Sequence, residues 1–129
     1  MGFNVDIVAA ARENADFRRV LSTGPHAQVV VMRIGPGDEI GEEVHGDVDQ
    51  ILAFIEGEGV AIMEGEESAV AANRLVHVPA GTRHNVVNRG SRDLRLYTVY
   101  APPQHAPGTI HRTRAEAEAD EADHFVPAR

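Results

Sequence analysis

Glu43, His45, Gln50 and His84 are the side chains whose types and spacing could do chemistry in this chain. Glu43 and His45 are two residues apart, so on an extended strand both project from one face. Gln50 opens the run Gln50-Ile-Leu-Ala-Phe-Ile-Glu56, where Leu52 and Phe54 share its side, and His84 shares a face with Val86 and Asn88. If those faces line one interior, two imidazoles, a carboxylate and an amide converge, a donor set suited to a divalent transition metal. Taken singly, Glu43 in its acid-rich stretch and Gln50 would be solvated surface residues. The rest of the composition narrows the chemistry further. There is no cysteine, which removes disulfides, thiolate metal sites and thiol nucleophiles. All 12 basic residues are arginine, which removes a lysine Schiff base. Serine occurs only at Ser22, Ser68 and Ser91, none in a nucleophile elbow. His, Glu, Asp, Gln, Tyr and a bound metal remain.

The four residues sit in two stretches of recognisable spacing. The first runs Gly37-Asp-Glu-Ile-Gly-Glu-Glu43-Val-His45-Gly-Asp-Val-Asp-Gln50-Ile-Leu-Ala-Phe-Ile-Glu-Gly57, the second Asn73-Arg-Leu-Val-His-Val-Pro79-Ala-Gly81-Thr-Arg-His84-Asn-Val-Val-Asn88. They resemble the two motifs of the cupin superfamily, G-x5-H-x-H-x4-E-x6-G and G-x5-P-x-G-x2-H-x3-N, with the spacing kept throughout. Glu43 stands in place of the first His, Gln50 in place of the Glu, and Asn73 in place of the opening Gly of the second motif. Asn is the residue that best follows Gly into positive φ, so the last change is mild. The resemblance implies a double-stranded β-helix (jelly-roll) barrel and one metal ion held by Glu43, His45, Gln50 and His84. The usual three His and one Glu become two His, one Glu and one Gln. One carboxylate is retained and one imidazole is exchanged for an amide oxygen, which hardens the site towards Mn²⁺ or Fe²⁺ relative to copper and nickel, so that the expected ion is Mn²⁺, Fe²⁺ or Zn²⁺.

The elements that must position these residues are short β-type runs separated by turn residues: Gln28–Ile34, Gln50–Glu56, Val60–Met63, Ser68–Ala72, Leu75–Val78, His84–Asn88 and Leu94–Tyr100. Seven such runs predict an all-β barrel or sandwich. The core is expected to include Val29, Val31, Leu52, Phe54, Val86 and Leu96. A short helix is expected at 7–14. Phe17–Ser22 is the candidate for an N-terminal strand that joins a partner's sheet, as small cupins commonly dimerise. After Tyr100, Pro102, Pro103 and Pro107 mark an arm, followed by a short acidic helix over 113–124 with Thr113 as N-cap and Glu116 completing a capping box. The chain reads as one domain, 1–129, with a barrel of about 17–100 and an arm of 101–129.

Among other candidates, His77 is expected to pack or lie at an interface, and His26, His105 and His111 to be solvated. Asp47 and Asp49 shape the turn, and Tyr97 and Tyr100 point to opposite faces. The net charge of −8 argues against a nucleic-acid partner. Residues 34–73 hold 11 acids and no base, whereas 74–95 hold five arginines and only Asp93, so strands of opposite charge are expected to pair. No membrane-spanning run or signal peptide is legible, which makes the cytoplasm the expected compartment. The expected function is a metal-dependent enzyme of dioxygenase, isomerase or lyase type acting on a small molecule. The alternative is a cupin that binds or senses a small ligand without turnover.

Overall fold

A computed structural model describes residues 2–127, so the domain expected over 1–129 extends past the described residues at both ends. The chain begins with helix α1 (Ile7–Glu13), started by the Asp6 carboxylate, which accepts from the Ala9 N–H at 3.0 Å. Nine strands follow: β1 (Arg18–Thr23), β2 (Gln28–Ile34), β3 (Asp49–Glu56), β4 (Glu58–Met63), β5 (Glu66–Ala71), β6 (Leu75–Val78), β7 (His84–Val87), β8 (Leu94–Ala101) and β9 (Ile110–His111). Helix α2 (Arg114–Ala119) comes last. The seven runs expected from sequence are β2 to β8, with ends moved by one or two residues. Ser68–Ala72 begins at Glu66, because Glu64 and Gly65 alone make the β4–β5 turn, both at positive φ.

The strands form two antiparallel sheets, one of six strands in the order β6-β3-β8-β2-β1-β9 and one of three in the order β5-β4-β7. Their inner faces enclose the core, with Val30, Met32, Ile34, Leu52, Phe54, Leu94 and Leu96 from the large sheet and Ala61, Val70 and Val86 from the small one. On β2 the inward set is therefore Val30, Met32 and Ile34, not the expected Val29 and Val31. Val31 is buried on the outer face near α1, and Val29 is only partly buried. The run Val29-Val-Val-Met32 is apolar on both faces, so it offered no alternation from which to read its direction.

Two motif positions owe their residue type to backbone demands. Gly57, at φ +88, lies where any Cβ would collide with the Asp93 carbonyl. Asn73 does adopt the left-handed conformation, φ 72, in the slot where the motif has Gly. The final motif residue, Asn88, is buried and donates to the carbonyls of Ile34 and Arg92, which ties the β7–β8 loop to β2. The segregated charges meet across the surface as Arg83–Glu42 at 2.7 Å, Arg89–Glu67 at 2.8 Å and Arg95–Glu56 at 3.8 Å, the last pair lying in register between β8 and β3.

The terminal segments correct three expectations. The strand expected at Phe17–Ser22 exists as β1, but it pairs within its own chain, with β2 on one side and with β9 on the other at Arg18 and Arg19. The edge meant for a partner is covered by the chain's own arm. His105 and His111, expected to be solvated, are buried, because the arm carries its own acceptors for them. His105 Nδ1 lies 2.6 Å from Asp123 Oδ2 and His111 Nε2 lies 2.9 Å from Asp120 Oδ2. The capping box at Thr113 and Glu116 is present, and the helix is shorter than 113–124. It ends where Asp120 turns its carboxylate to His111. Buried Gln28 fastens the same arm, accepting from the backbone N–H groups of Gln104 and His105 and donating to the His105 carbonyl at 2.8 Å.

Candidate metal centre

Residues 39–43 run beside β7 as an extra, irregular strand, bridging at Glu39–Val87 and Glu43–His84. At the second bridge each residue's N–H donates to the other's carbonyl, both at 2.9 Å. Directly opposed residues of an antiparallel pair present their side chains on one face, so the backbone itself sets Glu43 beside His84. His45, two residues on, joins them, and its carbonyl accepts from the Gly81 N–H at 2.8 Å, which ties the first motif to the second. The outcome is a cluster in which Glu43, His45 and His84 offer ligand atoms within 4.8 Å of one another.

Gln50 arrives from the opposite sheet. It lies on β3 between Tyr100 of β8 and Val78 of β6, is 1% exposed, and projects inward with Leu52 and Phe54. Its Oε1 lies 3.0 Å from His84 Nε2, and its Nε2 donates to Thr98 Oγ1 at 3.0 Å. All four residues singled out in the sequence therefore meet in one place. His84 Nδ1 lies 2.9 Å from the Thr82 carbonyl, which orients the ring and turns Nε2 to the centre.

The distances suit a shared ion. Two atoms bound about 2.1 Å from one ion at right angles lie about 3 Å apart. Gln50 Oε1 and His84 Nε2 are 3.0 Å apart, and Glu43 Oε2 and His45 Nε2 are 2.8 Å apart. The latter pair is close but misaligned for hydrogen bonding, so His45 Nε2 is a buried nitrogen with no hydrogen-bond partner. A metal ion would satisfy it, and the chemistry of the donor set fits one. Burial pushes the Glu43 carboxyl up, but the approach of His45 and the charges of Arg18 and His84 outweigh it and hold the group below the usual carboxylate range. It is the ionised, ligating form that this environment favours.

Sequence reasoning missed the surroundings of the cluster. Tyr100 is fully buried, its ring edge-on to His45 at 5.9 Å and to His105 at 4.9 Å between centroids. Burial pushes its hydroxyl pKa up. Arg18, inward on β1, places NH2 4.0 Å from Glu43 Oε1 and NH1 3.4 Å from His111 Nδ1. No motif marks either residue; the pairing of β1 with β2, opposite inward-facing Met32, and with β9 brings Arg18 here. His77 and Asp49 lie outside the centre, exposed and 3.2 Å apart, with Asp49 also accepting from the Ala80 N–H. Tyr97 faces away from the core, as expected from its odd spacing to Tyr100. A surface hollow of about 520 Å³, bordered by Glu58, Gly59, Ser68, Val70 and Arg74, is remote from these groups and gathers no comparable set of donors.

A two-sheet β-helix with histidine and carboxylate donors converging at one end of its interior defines a cupin barrel. Residues 30–100 match the cupin domain family, and the chain belongs to it. It is 44% identical over 125 residues to YrkC of Bacillus subtilis, covering 92% of this chain and 67% of that protein. It is 32% identical over 117 residues to L612 of Acanthamoeba polyphaga mimivirus, covering 88% of this chain and 73% of that protein. The crystal structure of BH2720 from Bacillus halodurans superposes with a TM-score of 0.91 at 43% identity, covering 92% of this chain and 95% of that one.

Proposed function

We propose that this cupin is a metal-dependent enzyme that acts on a small molecule, with Glu43, His45, His84 and Gln50 holding one divalent ion, Mn²⁺, Fe²⁺ or Zn²⁺. The observation that carries the reading is His45 Nε2, buried and without a hydrogen-bond partner at the centre of a two-histidine, one-carboxylate cluster. That donor set is the one non-haem iron oxygenases use, with positions left open for substrate or O₂. Bound there, the ion supplies Lewis acidity or a place for O₂. The chain's own residues do the rest. Thr82 orients the His84 ring, Thr98 holds the Gln50 amide, and Tyr100 walls off the interior beside His45. Dioxygenase, isomerase and lyase chemistry all fit this arrangement, and a dioxygenase fits the donor set best. The same reading has the protein working in the cytoplasm as a homodimer.

Elemental analysis of tag-free protein prepared without chelator and reconstituted with Mn²⁺, Fe²⁺ or Zn²⁺ should give one ion per chain. His45→Ala and His84→Ala should each lose most of it and keep their β-type circular dichroism. The iron-loaded protein under nitric oxide should give a high-spin nitrosyl EPR signal. Substoichiometric metal in the wild type would falsify the centre; stoichiometric iron without the signal removes the dioxygenase.

A further inference from the structure

A guanidinium is among the most expensive groups to bury, and proteins that bury one surround it with acceptors. Arg18 is 4% exposed and is not so surrounded. Its Nε is buried with no hydrogen-bond partner. NH1 has only the long contact to His111 Nδ1, and among the described residues its one carboxylate within ion-pair range is Glu43, 4.0 Å away. The Phe17 ring lies 5.3 Å from its central carbon and the Tyr100 hydroxyl is beside it; an aromatic face and a single hydroxyl do not satisfy five N–H donors. Asp123, the other buried carboxylate of this region, already accepts from His105, Ala106 and Thr109. Arg18 therefore stands beside the candidate metal centre with donors to spare and a counter-charge committed elsewhere. Once Glu43 coordinates an ion, the guanidinium and the ion leave surplus positive charge in a poorly solvated interior.

We infer that Arg18 is the anchor for an anionic ligand of this centre, and that the substrate class is a small organic acid whose carboxylate lies between Arg18 and the ion. This rests on the metal-centre reading above and adds the charge of the ligand to it. The planar, two-oxygen carboxylate matches the guanidinium fork. Arg18 lies close enough to Glu43 for one short acid to reach both the guanidinium and an ion held by that carboxylate.

Glycolate and glycolamide are a matched pair: both can chelate a metal through the hydroxyl and the adjacent oxygen, and only glycolate is charged. Each is titrated into the full-length, Co²⁺-loaded protein while the visible cobalt absorption is followed. Wild type is expected to bind glycolate at least ten-fold more tightly than glycolamide. Arg18→Met should keep one Co²⁺ per chain, hold it more tightly because a like charge is gone, and bind glycolate at least five-fold less tightly than wild type with glycolamide little changed, so that only the preference conferred by the ion's own charge is left. Arg18→Lys, which retains charge without the fork, should restore part of the preference. Equal binding of the two ligands by wild type, a test that needs no variant to fold, overturns the anchor. So does a preference in Arg18→Met as large as that of wild type, or a variant that loses only thermal stability. Failure of wild type to take up Co²⁺ overturns the metal centre itself, and the anchor with it.

Discussion

Gln50 is where this chain changes a carboxylate for an amide, and its surroundings set what the reverse change would do. A Gln50→Glu side chain would place its charge near His84 Nε2, in a position 1% exposed. With an ion present, the added attraction should tighten binding by about one to a few kcal/mol at an effective dielectric near 20. Without one, the new carboxylate is buried beside Thr98 with little to pair with, so the metal-free protein should melt earlier. The expected result is tighter Mn²⁺ or Zn²⁺ binding in a competitive chelator titration and a wider gap in Tm between metal-free and loaded protein. Equal affinities would take Gln50 out of the coordination sphere. At this scale the sequence was informative wherever a motif fixed the spacing: Glu43, His45, Gln50 and His84 all meet. It was silent on Arg18, because Arg18-Arg19 on β1 reads as two equivalent polar residues, one of which turns inward and one out. Nothing local distinguishes them.

The arm is the element whose role sequence reasoning understated. Alanines on α2 contribute little anchoring, and none of the helix is buried. The arm is held instead by polar groups, with Asp123 serving His105, Ala106 and Thr109, Asp120 serving His111, and Gln28 clasping the backbone at Gln104 and His105. Burial pushes the Asp123 carboxyl up, but the hydrogen bonds and charge of its partners outweigh it and bring its pKa down to about 2. Burial pushes His105 down from its ordinary value of 6.5, against the pull of Asp123. Both shifts favour a neutral imidazole that donates to an ionised carboxylate. Each folded pKa lies below the unfolded one, so the stabilisation from His105 is complete above pH 6.5 and falls as pH drops below it. That from Asp123 is complete above 3.8 and is lost as pH falls through about 2. Acidification should therefore loosen the arm before the barrel. Protection of the arm amides, taken relative to their intrinsic exchange rate at each pH, should fall between pH 7 and 5 while core strands stay protected. Asp123→Asn should destabilise by about 1–3 kcal/mol, as expected for loss of a buried charged acceptor. A variant as stable as wild type, with an unchanged exchange profile, would show that the arm is held some other way.

For the molecule as a whole, the all-β barrel and the places of seven strands along the chain were legible because turn residues punctuate seven short runs, and glycine or asparagine stands where backbone geometry demands it. The direction in which β2 faces and the fate of both terminal segments were not legible, since they depend on pairings between distant parts of the chain. One consequence bears on assembly. β9 flanks β1 at Arg18 and Arg19, so only the remainder of that edge could extend into a partner's sheet. The outer face of the six-stranded sheet remains, where Phe3, Val5, Val8, Ile51 and Leu75 are exposed. A cluster of this kind is a natural contact between copies. Sedimentation at micromolar concentration should give a dimer mass, and Leu75→Glu should shift it to monomer without unfolding. A clean monomer for wild type sinks the homodimer.

The pairing of β1 with β9 also dictates an order of events during folding. Arg18 and His111 are 93 positions apart in the chain, whereas the β4–β5 hairpin closes over two residues. Closing a longer loop costs more chain entropy, so local hairpins form early and the outermost strand pair forms late. On this order Arg18 is expected to be fully closed off from water only when the arm docks against β1.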